Sequence, residues 1–228
     1  MMNRCIALFT GGKESVFSVL KAREQGYEID ELIFLKKPSF SVHKVNLPAI
    51  RAVAKMLSIE LNVLESGDKP EDDKALITYL KKKRENGVNN LITGNVKLEE
   101  THDIYQKLCE KVGLRLIEPL RGWNTLELLI EYSKIDLQFM IIGIRDEELD
   151  PKWLGATISK QNIENFIEEV LSKGVDPCGE YGEYHSIVIQ LKNFSSGLKS
   201  NFILKGESAC INYLQLVNPQ TIETNNKW

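Results

Sequence analysis

The stretch Arg4-Cys5-Ile6-Ala7-Leu8-Phe9-Thr10-Gly11-Gly12-Lys13-Glu14-Ser15 decides the fold, because two adjacent glycines separate an apolar run from a helical pattern. Residues 4–9 form a short apolar run that is typical of a buried parallel strand. From Glu14 to Gln25 the apolar residues recur at helical spacing, and Gly26 ends that pattern. The stretch therefore predicts a strand, a tight loop and a helix in succession.

The loop between these two elements has the chemistry of an anion site. Adjacent Gly11 and Gly12 let the backbone turn sharply and bring its N–H groups close to a ligand. The start of the following helix adds further N–H donors and the positive end of the helix dipole. Lys13 supplies a cation, while Thr10 and Ser15 supply hydroxyls. The pattern predicts phosphate binding, and a tight turn without a ligand is the alternative.

Outside the loop, strand-like and helix-like patterns alternate along the first half of the chain. Further strands are expected at residues 31–35, 60–64, 90–94 and 114–117, and further helices at residues 48–57, 70–86 and 98–112. This strict alternation predicts an α/β fold with a parallel sheet and helices on both faces. Beyond Gly122 the alternation loosens. We therefore predict a nucleotide-binding domain at residues 1–122 and a smaller, mixed α/β, substrate-binding domain at residues 123–228.

Composition restricts the class of protein. Of the 228 residues, 43% are hydrophobic and 27% are charged, which is ordinary for a globular enzyme. The formal net charge of -3 argues against a broad basic surface, so nucleic acid is not an expected partner. No apolar run reaches the roughly eighteen residues that a membrane span requires. The four cysteines are widely scattered, which indicates neither a disulfide framework nor a zinc site and favours the cytoplasm.

A second candidate site is the acidic turn Gly179-Glu180-Tyr181-Gly182-Glu183, which precedes the strand-like run 186–191. Glycines beside both acids let such a loop reach into a cleft. Two carboxylates there could hold Mg²⁺, orient ammonia or accept a proton. A solvated acidic turn is the alternative. His185, which follows the turn, is either a base or a half-buried strand histidine.

The loop from Thr10 to Ser15 resembles the pyrophosphate loop Ser-Gly-Gly-x-Asp-Ser of the N-type ATP pyrophosphatases, and it matches neither the Walker nor the Gly-x-Gly-x-x-Gly pattern. Glu14 stands where that superfamily has Asp. Over essentially the whole chain, the sequence is similar to one branch, the diphthine–ammonia ligase (diphthamide synthetase) family. The matching pieces are the loop, His43 within Val42-His43-Lys44-Val45-Asn46, Gly94, Trp153-Leu154-Gly155, and Gly179 to His185. The last piece is the most specific, because the family carries Gly-Glu-x-Gly-Glu-Phe/Tyr before a hydrophobic strand.

The resemblance implies a Rossmann-like PP-loop domain that cleaves ATP between its α- and β-phosphates. The residues expected to hold ATP are Thr10, Gly11, Gly12, Lys13, Glu14 and Ser15, with the backbone near Leu35 and Gly94 flanking adenosine. A substrate carboxylate would attack the α-phosphate, while Lys13 and Mg²⁺ offset charge on the leaving pyrophosphate. Glu14 is the expected metal ligand.

The second half of the implied reaction transfers free ammonia to the acyl-adenylate and releases AMP. Glu180 and Glu183 are expected to orient the nucleophile or the metal, and His43 and His185 to contact the substrate. The family's substrate is diphthine, a modified histidine on translation elongation factor 2, so that factor is the implied protein partner, and a related acid is the alternative substrate. No membrane partner is expected, and a homodimer is left open.

Two other functions remain as alternatives. A tRNA-modifying, thiolating enzyme could use the same ATP domain, but it needs catalytic cysteines and usually a basic RNA surface. The scattered cysteines and a sequence pI near 5.8 count against it. A non-catalytic adenine-nucleotide-binding protein is the second alternative, for which Glu14 is the main argument. Release of AMP rather than ADP distinguishes these functions.

Overall fold

The computed structural model describes residues 3–145, 147–191, 196–208 and 210–223. Contacts between Cα atoms divide the chain into two compact units. The first lies within Met1–Thr10, Glu14–Phe40 and Ile59–Gly122, and the second within Gly11–Lys13, Ser41–Ser58 and Trp123–Trp228. The division into domains at Gly122 stays a prediction. The contacts add that residues 41–58, which the sequence analysis assigned to the nucleotide-binding domain, pack with the second unit.

Parallel strands form the sheet of the first unit. In chain order the elements up to residue 117 are β1 (Arg4–Leu8), α1 (Lys13–Glu24), β2 (Glu28–Lys36), α2 (Val42–Val45), α3 (Leu47–Met56), β3 (Leu61–Glu65), α4 (Lys74–Glu85), β4 (Asn90–Ile92), α5 (Glu99–Val112) and β5 (Arg115–Ile117). The strand order is β3-β2-β1-β4-β5, and each neighbouring pair is parallel. The predicted parallel α/β sheet is confirmed.

The core of the first unit lies against both faces of this sheet. Ile6, Ile33 and Leu91 pack on one face with α4 and α5, in a cluster that also contains Leu76, Leu80, Leu108, Cys109 and Val112. Their neighbours Cys5 and Ala7 point to the opposite face and are also fully buried. Side chains of a β-strand alternate between faces, so both faces of β1 are covered, as in parallel sheets generally.

Two local predictions need correction. The helix expected at 70–86 is a 3₁₀ turn at Pro70–Asp72 followed by α4 from Lys74. Asp73 sets that start, because its Oδ1 accepts hydrogen bonds from the N–H groups of Ala75 and Leu76 at 2.9 and 3.0 Å. Between residues 35 and 48 no element was expected, but His43 lies there in the short helix α2.

The second unit is built around antiparallel strands. After residue 122 the elements are α6 (Thr125–Lys134), β6 (Gln138–Arg145), β7 (Thr157–Ile158), α7 (Ile163–Ser172), β8 (Tyr184–Gln190), β9 (Ser196–Ser208) and β10 (Ile211–Glu223). The strand order is β7-β6-β10-β9, and β8 pairs with β6. The expected mixture of helices and strands is confirmed, and its pairings are antiparallel.

A buried asparagine attaches the α2–α3 segment to this second sheet. Asn46 is fully buried between the two helices. Its Nδ2 donates to the carbonyl oxygens of Val42 (2.9 Å) and Leu214 (2.8 Å), and its Oδ1 accepts from the N–H of Leu216 (2.8 Å). The side chain thus bonds to the backbone of β10 at two residues, the carbonyl oxygen of Leu214 and the N–H of Leu216.

Among the helices of the described residues, none combines the length and apolar character that crossing a membrane requires.

Candidate active site

The glycine loop has the predicted form, a tight connection between β1 and α1. Gly11 has a φ of +72°, a backbone conformation that favours glycine. The N–H and the Oγ1 of Thr10 both lie 3.3 Å from the Oγ of Ser15. The hydroxyl of Ser15 therefore closes the loop across the start of the helix.

Gly94 contacts this loop through its backbone. A Cβ at Gly94 would lie 3.1 Å from the N of Ser15 and 3.2 Å from the carbonyl carbon of Glu14. Real Cβ atoms seldom come so close, so glycine permits this approach. The structure brings together three residues that were predicted to bind ATP. Their contact with a nucleotide stays a prediction.

The other part of the loop, Gly11 to Lys13, is attached to strand β8 within the second unit. The carbonyl oxygen of Gly11 accepts from the N–H of Val188 at 2.9 Å. The N–H of Lys13 lies 3.3 Å from the Oγ of Ser186 and donates to it. The backbone of these loop residues is therefore held at two alternate positions of β8.

The side chain of Lys13 is buried, with 2% of its surface exposed. Its Nζ donates to the carbonyl oxygen of Cys178 at 2.8 Å. The same ammonium lies 4.4 Å from the ring centroid of Tyr184 and 5.5 Å from that of Phe139. The predicted contact of Lys13 with pyrophosphate stays a prediction, and the geometry gives the ammonium a carbonyl and two aromatic rings as neighbours.

Glu183 is buried beneath the acidic turn, where the alternative of a solvated turn would have exposed it. Its Oε1 accepts from the N–H of Asp176 at 3.2 Å, and its Oε2 accepts from the N–H of Tyr181 at 2.9 Å. The carboxylate thus joins Asp176, which precedes the acidic turn, to Tyr181 within it. Glu180 is half-buried on the same turn.

Asp176 is a site residue that the sequence analysis did not single out. Its Oδ1 accepts from the N–H groups of Cys178 (2.9 Å) and Glu180 (3.3 Å), and its Oδ2 accepts from the Oγ1 of Thr125 (3.0 Å). An aspartate whose side chain bonds to backbone N–H groups further along the chain forms an Asx turn. The run Asp176-Pro177-Cys178-Gly179 carries the residue types of such a turn, and this was the available clue.

The two histidines that were predicted to contact the substrate lie side by side. The ring centroids of His43 and His185 are 5.4 Å apart, with the rings nearly perpendicular. Burial lowers the pKa of His185 to about 4, helped by the positive charges of Lys13 and Arg145. His185 is therefore neutral near pH 7, with one ring nitrogen that can accept a hydrogen bond. A substrate contact by either histidine stays a prediction.

Glu118 is a second residue that the sequence analysis missed. Its side chain is 4% exposed and follows β5 directly. Its Oε1 accepts from the Oγ1 of Thr93 and the Nδ2 of Asn95, both at 3.0 Å, and its Oε2 lies 2.6 Å from the Nδ1 of His102. Thr93 and Asn95 flank Gly94, so Glu118 holds the backbone that approaches the glycine loop. Polar residues just after neighbouring parallel strands were the clue, since such strand ends meet at one edge of the sheet.

Two further predictions concern ligands: adenosine beside Leu35, and Mg²⁺ on Glu14. Leu35 lies near the carboxyl end of β2 with its side chain against the core, so adenosine would meet its backbone. Within the described ranges, no three His, Cys, Asp or Glu side chains form a group that could hold a metal ion. Mg²⁺ usually takes one or two carboxylates and completes its shell with water and substrate phosphates. Glu14 therefore fits as a single ligand, and this role stays a prediction.

Comparison with known proteins identifies the family. Residues 3–116 match the family model of the diphthamide synthase N-terminal domain, and residues 124–205 match that of the diphthamide synthase C-terminal domain. Diphthine–ammonia ligase of Homo sapiens is 26% identical over 218 residues, which covers 84% of this chain and 80% of the human protein. The Danio rerio protein of the same name is 24% identical over 217 residues, with 84% of each chain covered.

Two solved structures are more distant. A predicted subunit of a tRNA methyltransferase from Methanocaldococcus jannaschii is 18% identical, with 85% of this chain and 100% of that chain covered and a TM-score of 0.46. A U34-tRNA thiolase from Methanococcus maripaludis is 14% identical, with 58% and 57% covered and a TM-score of 0.37. Neither likeness is high enough to carry an argument.

The family assignment rests on the two consecutive domain matches, the first of which spans half of the chain. The curated relatives agree with it along most of their own length. The chain therefore belongs to the diphthamide synthase family and is an ATP-dependent ligase.

Proposed function

We propose that the chain uses ATP to adenylate a carboxylate and then transfers ammonia to the activated carbonyl, releasing AMP and pyrophosphate. The observation that carries this proposal is the glycine loop between β1 and α1, which Gly94 approaches through its backbone. A helix start behind a glycine turn presents N–H donors to phosphate oxygens. The match to the diphthamide synthase family supports a ligase reaction at this loop.

The first step takes place at the loop. The phosphates of ATP lie on the loop through the backbone of Gly11, Gly12, Glu14 and Ser15 and the hydroxyls of Thr10 and Ser15, and adenosine lies along the backbone near Leu35 and Gly94. An oxygen of the substrate carboxylate attacks the α-phosphorus, and the bond from that phosphorus to the oxygen bridging to the β-phosphate breaks. Backbone N–H groups at the start of α1 stabilise the negative charge that develops on pyrophosphate. Mg²⁺, held by Glu14 and the phosphates, would offset more of that charge.

The second step takes place near the acidic turn. The nitrogen lone pair of ammonia attacks the carbonyl carbon of the acyl-adenylate, AMP leaves, and the nitrogen loses a proton. Glu180 is the proposed acceptor of that proton or the group that orients ammonia. Glu183 contributes by shaping the turn, since its carboxylate oxygens bond to two backbone N–H groups. His43 and His185 contact the acid substrate.

The proposed acceptor is diphthine on translation elongation factor 2, or a related acid. The support for it is that the similar proteins of Homo sapiens and Danio rerio are named diphthine–ammonia ligase. A cytoplasmic reaction fits such a partner and fits the four cysteines, which are all free thiols.

Three of the four cysteines argue against the thiolating alternative, and Cys210 is the exposed one. Burial raises the pKa of the Cys5 thiol to about 11 and that of the Cys109 thiol to about 12. Cys178 is buried as well, and its Sγ lies 3.2 Å from the carbonyl oxygen of Thr125. A catalytic sulfur must be a thiolate that its substrate can reach. Among these three, Cys5 and Cys109 are neutral near pH 7, and all three are covered by protein.

The test is to incubate the protein with ATP, ammonium and elongation factor 2 that carries diphthine, and to separate the nucleotides. AMP formation that depends on the acceptor is expected, and ADP as the product would contradict the proposal. Gly11→Ala should lower AMP formation about tenfold or more, because the left-handed φ of Gly11 is costly for alanine. Gly26→Ala is the matched control, since Gly26 has a φ of +83° at the far end of α1 and nothing within 4 Å of a Cβ. Equal losses in both variants would show an effect of stability alone.

A further inference from the structure

We propose that Lys13 is a positioning residue, which fixes the turn Asp176–Glu183 against loop residues Gly11–Lys13, and that it does not bind phosphate. The inference rests on the proposed function, because that turn is where the amine is proposed to react. It changes the role that the sequence suggested for Lys13, whose place after two glycines indicates a cation for phosphate.

The first support is the bond that the ammonium makes. Cys178 lies in the first half of the turn, and its carbonyl oxygen accepts from the Nζ of Lys13 at 2.8 Å. With 2% of its surface exposed, Lys13 is the one buried lysine or arginine among the described residues. A buried charge is stable only where polar or charged groups compensate it. The carbonyl of Cys178 is such a group, so the bond holds both partners in place.

The aromatic neighbours support the same role. The ring of Tyr184 lies 4.4 Å from the ammonium, and its hydroxyl donates to the carbonyl oxygen of Pro177 at 2.6 Å. A Cβ on Gly179 would lie 2.8 Å from the Cδ1 of that ring, so the turn is packed directly on it. Lys13, the ring and the turn therefore form one assembly in which each part contacts the other two.

The backbone of Lys13 is bonded to β8, the strand that contains Tyr184. Its N–H donates to Ser186, and Gly11 is bonded to Val188, so the loop is attached to the strand that continues the turn. A lysine that moved to a phosphate would leave the buried carbonyl of Cys178 without this donor and would withdraw its charge from the ring. Losing a hydrogen bond to a charged group in the interior is costly. The observed geometry therefore favours a lysine that stays on the turn when ATP binds.

The consequence is that loop residues Gly11–Lys13 and the turn move as one body within the second unit. Asp176 and Glu183 stabilise the turn internally through backbone N–H groups, and Lys13 ties it to the loop. Reaction rates depend steeply on such placement, because a shift of about 1 Å can lower a rate about a hundredfold. Removing the ammonium should therefore affect the chemical step while sparing ATP affinity.

The experiment compares Lys13→Met with the wild-type protein and with Lys82→Met, which removes an exposed lysine of α4. Methionine keeps the length of the side chain and packs well against aromatic rings, so a folded variant is expected. Calorimetric titration with ATP should give a Kd within about threefold of wild type, while amide formation at saturating ATP falls about thirtyfold or more. A Kd raised about tenfold with unchanged amide formation at saturating ATP would identify Lys13 as a phosphate ligand and overturn the proposal. An unchanged Kd with unchanged amide formation would overturn it too.

A measurement on the wild-type protein avoids reliance on the variant. Hydrogen exchange of the peptide that covers residues 176–183 is followed with and without α,β-methylene-ATP. Exchange that is unchanged or slower with the nucleotide is expected if Lys13 stays on Cys178, and faster exchange would mean that it leaves. The two proposals fail separately. A wild-type protein that binds ATP but forms no AMP would refute the proposed reaction, whereas the Kd and the exchange data would still decide the role of Lys13.

Discussion

Adding one methyl group at Gly94 tests whether the backbone beside the glycine loop has to approach it so closely. In Gly94→Ala the new Cβ would lie 3.1 Å from the N of Ser15, 3.2 Å from its Cα and 3.2 Å from the carbonyl carbon of Glu14. All three are backbone atoms, so no side chain can rotate away. The two segments must separate, or one of them must distort.

The size of the effect follows from these distances. Carbon atoms in contact prefer separations of about 3.5–4.0 Å, so the backbone has to move by about 0.4 Å or more. Overpacking of this kind costs about 1–3 kcal/mol of the free energy of unfolding. The displaced N–H of Ser15 is among the donors at the start of α1. We expect ATP affinity to fall about tenfold, equivalent to about 1.4 kcal/mol of binding free energy.

The assay is ATP titration by calorimetry together with urea unfolding. Gly67→Ala is the matched control, because the nearest atom to its Cβ would be the Oδ2 of Asp73 at 3.8 Å, an ordinary contact. Gly94→Ala should bind ATP more weakly than Gly67→Ala. Equal ATP affinities, with unfolding midpoints that also agree, would refute the reasoning about this close approach.

Two further predictions concern the second unit. Asn46→Asp should lower the free energy of unfolding by about 3–6 kcal/mol, because two buried carbonyl oxygens lose their donor and face a carboxylate; urea unfolding measures this. His185 has a folded-state pKa of about 4 against an ordinary value of 6.5, so the unfolded chain takes up its proton first as the pH falls. The titration of His185 leaves the free energy of unfolding unchanged above about pH 6.5 and lowers it by about 3 kcal/mol as the pH falls to about 4. Unfolding curves of wild type and His185→Gln should reveal this loss.

Each of these two predictions has a control measurement. Asn89→Asp makes the same chemical change at an exposed position, and it should alter stability by less than about 0.5 kcal/mol. If Asn46→Asp is no more destabilised than Asn89→Asp, the three bonds of Asn46 do not hold the segment. For His185, the difference between wild type and variant should narrow or change sign as the pH falls below 6.5. A difference that stays constant from pH 7.5 to pH 4.5 would exclude the assigned shift.

The strand, glycine loop and helix at the start of the chain could be predicted because their causes are local. Two glycines and an apolar run specify a turn and a buried strand without help from distant residues. The attachment of α2 and α3 to the second unit could not be predicted in this way. It depends on Asn46 meeting β10, a strand more than 160 residues later, and no local pattern reports such a partner.

The same distinction applies to the candidate site. Lysine after Gly-Gly suggests a phosphate ligand, but the direction of the Lys13 side chain depends on Cys178 and on two rings far along the chain. Glu183 in a glycine-rich turn suggests an exposed acid, but its carboxylate is buried because it accepts hydrogen bonds from two nearby backbone N–H groups. The closeness of His43 and His185 has no signature in either segment, and only the family resemblance marked both of them.

The attachment of α2 and α3 also bears on how the chain is made. A ribosome releases Leu47–Met56 long before Ile211–Glu223, so the apolar face of α3 is synthesised well before β10, the strand that it contacts. Until then Ala49, Ile50, Val53 and Met56, which are all buried in the finished protein, lack the β10 side of their environment. A chain that ends at Gly122 lacks β10, so the apolar face of α3 would stay exposed. The two units are thus interleaved in sequence, and the α2–α3 segment of the second unit is synthesised between segments of the first, long before the strand it contacts.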